Sequence, residues 1–177
     1  MKQKLLLFLM LITFCSSMFA QSARSGNLVV IEMNSFLSTT NGGTAARISS
    51  GTSTLNTNQV RDLITKVQPS SYFYAGEVKT YGEQPTHLFT DVTSLSQVDN
   101  SVALKQNIEI VTVRINTLNE LNATIDLNAF SNFPNLKYIY FISNIDTTSG
   151  TIASHLVNYN SRFNVFYKID KGDSNQY

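Results

Sequence analysis

The chain has 177 residues, 13 basic and 12 acidic side chains, one cysteine and no tryptophan. With no block of Lys or Arg it has no electrostatic footprint for nucleic acid or an anionic membrane surface. Its apolar content of 42% is that of a globular domain, which argues against global disorder.

The first segment in chain order is an export signal by layout. Met1-Lys2-Gln3-Lys4 is basic, Leu5 to Phe14 is apolar apart from Thr13, and Cys15 to Ala20 is softer and ends in a small residue. That order predicts a secretory signal over residues 1–20, cleaved after Ala20. The apolar run is about half the roughly 20 residues a spanning helix needs, so no membrane insertion is expected once the signal is removed. Cys15 follows Phe14 rather than the small-residue box of a lipid-bearing cysteine. Cleavage removes Lys2 and Lys4, leaving 11 basic residues against 12 acidic ones. It also removes the cysteine, which excludes disulfides, thiolate catalysis and Cys-ligated zinc from the mature chain. Residues 21–177 are then expected to form a single α/β domain, periplasmic or secreted.

The aliphatic run opening Leu28 to Leu37 predicts a buried strand. From Ser38 to Thr57, all but Ala45, Ala46, Arg47, Ile48 and Leu55 are Ser, Thr, Asn or Gly, the composition of a long flexible loop. Val60, Leu63, Ile64 and Val67 then fall on one helical face, with Thr57 or Asn58 as cap and Pro69 near the end. Tyr72 to Val78 reads as a strand, and His87 to Val92 as a short extra one. Thereafter helices and strands alternate. A helix over Leu95, Val98 and Val102 precedes a strand from Ile108 to Ile115. A turn at Leu127 and Phe130 precedes a strand from Leu136 to Ile142. A helix over Ile152, Leu156 and Tyr159, capped by Thr148 or Ser149, precedes a strand from Phe163 to Ile169. Such alternation requires parallel strands joined by crossovers.

Two of these strands share spacing. Ile108, Val111, Val113 and Asn116 recur at identical offsets as Leu136, Ile139, Phe141 and Asn144. The pattern resembles the leucine-rich repeat, and Phe130 to Lys137 is similar to the approach of its strands. Phe163 and Phe166 keep the offset of Leu136 and Ile139 one unit further on, while Leu28, Ile31 and Met33 fit at the front. The resemblance implies a short α/β solenoid with a parallel sheet, whose stacked turns are satisfied by Asn116 and Asn144. Its uncovered concave face would then carry Ile110, Thr112, Arg114, Tyr138, Tyr140, Ile142, Val165, Tyr167 and Ile169. A three-layer α/β sandwich, with helices on both faces, explains the same apolar strands.

Chemistry is sparse. His87 has Asp91 four residues on, a spacing that does not pair them in a strand, and His155 sits in the last helix. No serine elbow or clustered metal ligands occur, and no cofactor is expected. Asn41-Gly42-Gly43-Thr44 lacks the ending of a phosphate loop. Glu32, Glu77 and Glu109 are the strand carboxylates, at different offsets in the repeat. The reading is a non-catalytic exported protein that binds a protein or cell-surface partner through Thr112, Arg114, Tyr138, Tyr140, Ile142 and Tyr167. The alternative is a small exported α/β hydrolase-type enzyme with its site near the 38–57 loop.

Overall fold

The computed structural model describes residues 28–39 and 55–172. The expected signal segment, Cys15, the Asn41–Thr44 stretch and most of the 38–57 loop lie outside them. The described chain is α/β with a mainly parallel seven-stranded sheet. Its strands are β1 (Val30–Glu32), β2 (Ser70–Tyr74), β3 (Glu77–Tyr81), β4 (His87–Asp91), β5 (Ile110–Ile115), β7 (Tyr138–Ser143) and β9 (Asn164–Ile169). They lie in the order β1-β9-β7-β5-β4-β2-β3, and β2–β3 is the antiparallel pair. Two short strands, β6 (Ile125–Asp126) and β8 (Leu156–Val157), pair in parallel as a separate ribbon.

The helices are α1 (Met33–Thr39), α2 (Thr57–Thr65), α3 (Leu95–Ser101), α4 (Leu118–Leu121) and α5 (Ser149–His155). Alternation along the strands divides the core in two. Val111, Val113, Ile139, Phe141 and Val165 point to one side, where α3, α4, the 3-10 turn Leu127–Phe130 and α5 bury Leu95, Val98, Leu121, Phe130 and Ile152 against them. Ile110, Tyr138, Tyr140 and Phe166 point the other way, under Met33 and Phe36 of α1 and Val60 and Leu63 of α2. Helices therefore lie on both faces.

Topology explains the second layer. From β2 to β9 the parallel strands are laid down side by side, with their connections on the first face. β1 pairs with β9, at the far end of the sheet from β2. The chain must then travel back over β9, β7, β5 and β4 to begin β2. A crossover running in the opposite direction keeps the favoured right hand only on the opposite face. That return path carries α1 and α2 over the surface the repeat reading leaves open. Burying each tyrosine or phenylalanine there stabilises the fold by roughly 1.5–3 kcal/mol.

Local expectations hold for most of the second half and shift in the first, although the last predicted helix, over Ile152, Leu156 and Tyr159, ends at His155 and Leu156 opens β8. β4, β5, β7 and β9 fall within a residue or two of the predicted strands, and Thr148 caps α5 by accepting from Thr151 N at 3.1 Å. The predicted strand from Leu28 to Leu37 ends at Glu32, whose carboxylate accepts the backbone N–H groups of Asn34 and Ser35 and starts α1. Met33, Phe36 and Leu37 occupy helical spacing, and that face is what packs. Asn56, rather than Thr57 or Asn58, caps α2 through a 3.2 Å bond from Gln59 N. The helix closes at Thr65, which leaves Val67 fully exposed. Tyr72 to Val78 is not one strand: Ala75 and Gly76, at φ 51° and 83°, form a two-residue turn between β2 and β3. Positive φ at both positions is the hairpin geometry that matches strand twist.

Candidate binding surface

One row of side chains crosses the second face from edge to edge. It runs Ile31, Phe166, Tyr140, Thr112, Phe89, Tyr72 and Lys79, each the register partner of the next. Phe166, Tyr140 and Thr112 are buried, Phe89 is half-buried, and Tyr72 and Lys79 are exposed. The cover supplied by α1 and α2 stops at β4. Among the described residues nothing covers the face beyond it.

The open end is aromatic. His87 stacks on Phe89 with ring centroids 3.9 Å apart, and Phe89 stacks on Tyr72 at 4.8 Å, close to the strand spacing. Tyr81 meets Tyr72 edge-on at 5.6 Å and is 62% exposed. Tyr72, Tyr74, Lys79 and Tyr81 line a shallow concavity of about 470 Å³. Polar groups border it: Arg114 is exposed and its charge acts on the Tyr74 hydroxyl, and Asp91 is half-buried. Burial pushes the Tyr74 hydroxyl up, against the pull of the Arg114 charge. Asp91 is occupied locally, accepting from Thr93 Oγ1 and Ser94 N at 2.8 Å each.

The residues expected to bind are distributed differently from the repeat reading. Tyr138 and Tyr140 are each 4% exposed and belong to the core beneath α1 and α2, so neither lines an open surface. Burial pushes the Tyr140 hydroxyl up to about 12. Thr112 is also buried, its hydroxyl 2.7 Å from His87 Nε2. Ile142 is half-buried at the rim of the same cluster, and Arg114 remains exposed.

Tyr167 is on the opposite face. The repeat spacing aligns Leu136 with Phe163, and so Tyr138 with Val165 and Tyr140 with Tyr167. In the sheet Tyr138 pairs with Asn164 instead, Tyr140 with Phe166 and Phe141 with Tyr167. A register difference of a single residue flips every side chain of β9 across the sheet. Val165 and Tyr167 accordingly pack with the first cluster.

The aromatic residues of β2, β3 and β4 carry the open surface, and the repeat spacing does not single them out. Their signal is the dipeptide Ala75-Gly76 between two aromatic, β-branched stretches. Read as a hairpin, it places Tyr72, Tyr74 and Tyr81 together at a sheet end.

The carboxylates of the enzymatic alternative are dispersed. Glu32 lies on β1 and Glu77 on β3, the two edges of the sheet. Glu109 precedes β5, where it accepts from Gln59 Nε2 at 3.1 Å and lies 3.9 Å from Lys137 Nζ. Burial works against ionisation of Glu32, but the bonds from Ser35 and Asn34 hold its carboxyl below the usual range. Among the described residues, no three His, Cys, Asp or Glu side chains gather as a metal site, and no helix is long and apolar enough to cross a membrane. No protein-family model, curated protein or solved structure matches the chain.

Proposed function

We propose that this chain is a non-catalytic interaction protein, exported to the periplasm or medium, that holds a protein or cell-surface partner on the open end of its sheet. The observation that carries the reading is the end of helical cover at β4, which leaves Phe89, Tyr72 and Tyr81 beside Arg114 and Lys79. Contiguous apolar surface of this kind is uncommon unless something binds it, and aromatic residues with Arg are what interface centres use. The basic, apolar and small-residue order of residues 1–20 supports export. The repeat resemblance adds an analogy to protein binders, directed at β4-β2-β3 instead of β7.

The test compares the wild-type chain with a Tyr72→Ala/Tyr81→Ala double variant, each immobilised and exposed to surface and extracellular fractions of the source cells. A component retained by the wild type and lost by the variant, at matched thermal stability, supports the reading. Equal retention by both chains refutes it.

A further inference from the structure

We propose that two copies of this chain pair through β3, antiparallel about a two-fold axis at Val78, to join their sheets and set their two aromatic surfaces side by side. The inference goes beyond the binding reading and does not rest on it.

Among the described residues β3 is an edge strand. All five of its residues are exposed, and its register with β2 is continuous, with neither bulge nor proline. An edge of this kind is a template for a further strand unless its sequence opposes pairing. The two-residue turn closes on the pair Tyr74–Glu77, so hydrogen bonding to β2 falls on Glu77, Lys79 and Tyr81. The N–H and C=O groups of Val78 and Thr80 then point outward. Tyr72, Val78 and Tyr81, all exposed, place apolar surface on both faces of this edge.

Charge selects the occupant and the register. A two-fold antiparallel pairing can centre on Val78, Lys79 or Thr80. Centring on Lys79 sets two ammonium groups directly opposite each other, which is destabilising. Centring on Thr80 brings Glu77 opposite Glu83 of the second copy. Centring on Val78 sets Glu77 opposite Lys79 of the second copy, twice, with the two valines in contact on the reverse face. Within one chain the Glu77 and Lys79 charges lie 4.0 Å apart at about 79% and 69% exposure, free to exchange partners. A second copy therefore supplies the acidic and the basic group that this edge asks for. The axis stands perpendicular to the sheet, so both copies present Tyr72 and Tyr81 on the same side.

The experiment uses the full chain. Sedimentation velocity should show a concentration-dependent dimer for the wild type. Lys79→Glu, which sets like charges opposite, should weaken the dimer roughly tenfold. The double swap Glu77→Lys/Lys79→Glu should restore it. Val78→Cys in a Cys15→Ser background should form an intermolecular disulfide under mild oxidation, because directly opposed residues of a hydrogen-bonded pair lie about 5.5 Å apart between Cα atoms. Thr80→Cys should not. Thermal stability reports whether each variant is folded. A wild type that sediments as a monomer at its solubility limit while Val78→Cys stays reduced overturns the proposal. Cross-linking through position 80 instead of 78, or a double swap that fails to restore the dimer, overturns the register. Equal partner capture by the wild type and the Tyr72→Ala/Tyr81→Ala variant would sink the binding reading and leave the dimer standing, so the two readings fail separately.

Discussion

Asn144 donates through Nδ2 to Asn116 Oδ1 at 3.3 Å, joining the turn after β7 to the equivalent turn after β5. The same sequence offset pairs Ile110 with Tyr138 and Ile115 with Ser143. The backbone N–H of Asn144 also bonds Ile115 O at 2.9 Å. Similar links run from Asn135 Nδ2 to Gln106 O at 2.6 Å and from Asn158 Nδ2 to Asp126 Oδ1 at 2.9 Å. Adjacent units are thus stitched turn to turn by amides. The asparagine pair is solvent-exposed, so water can replace it. Asn144→Ala should cost about 0.5–1 kcal/mol in denaturant unfolding. A loss of several kcal/mol would mean that the side chain, and not the backbone ladder beneath it, fixes the stacking.

Tyr140 and Tyr72 occupy the same row of the sheet but opposite sides of the boundary drawn by α1 and α2. Tyr140→Ala removes a buried ring between Phe166 and Thr112, and should destabilise the chain by about 3–5 kcal/mol. Tyr72→Ala, at a position 36% exposed, should cost about 1 kcal/mol or less. Urea unfolding of the two variants measures the contrast directly. Similar losses at both positions would place the boundary elsewhere.

The sequence is most legible where burial and local order agree. Apolar alternation marks β4, β5, β7 and β9, because each strand's pattern is set by the two faces it separates. The β5–β7 repeat is visible because the sequence spacing and the sheet register share one offset, which pairs Val111 with Ile139 and Val113 with Phe141. The facing of β9 is not, because its unit is shorter than the one before it, and an apolar pattern that tolerates either offset does not record parity. The helix at Met33–Thr39 is hidden within an aliphatic run, although Met33, Phe36 and Leu37 already have helical spacing. Cover over Tyr138 and Tyr140 is not legible from local pattern. It follows from β1 pairing with β9, a contact between the two ends of the domain.

Thr90 lies in β4 with no exposure, and its hydroxyl has no hydrogen-bond partner among the described residues. Its neighbours on that face, Val113 and Leu88, pack against the first helical layer. Burying an unsatisfied hydroxyl costs about 1–3 kcal/mol, and valine has the same shape without it. Thr90→Val should therefore raise stability by about 1 kcal/mol, read as a higher urea midpoint at unchanged slope. A loss on this substitution would show that the hydroxyl is satisfied, by water or by a residue beyond those described.

His87 gives the fold a pH dependence that can be isolated. Its ring is buried between Phe89 and Thr112, and burial pushes its pKa down to about 4, opposed by a backbone hydrogen bond with Leu63. The unfolded chain takes up this proton near pH 6.5, whereas the folded chain keeps the imidazole neutral until about pH 4. Protonation therefore favours the unfolded state between those values. The contribution is complete above pH 6.5, declines as pH falls, and is exhausted below about pH 4. The difference corresponds to about 3 kcal/mol. Glu32 and Asp99, whose carboxyls are held below their ordinary range, add their own losses as pH falls through their unfolded values of 4.5 and 3.8, in wild type and variant alike. Urea unfolding at about pH 7.5 and about pH 4.5, on either side of the unfolded value, should show a drop for the wild type that His87→Gln largely lacks, even if the variant is weaker throughout. An equal drop in both chains would assign the acid sensitivity to another group and make His87 an ordinary, exchangeable core residue.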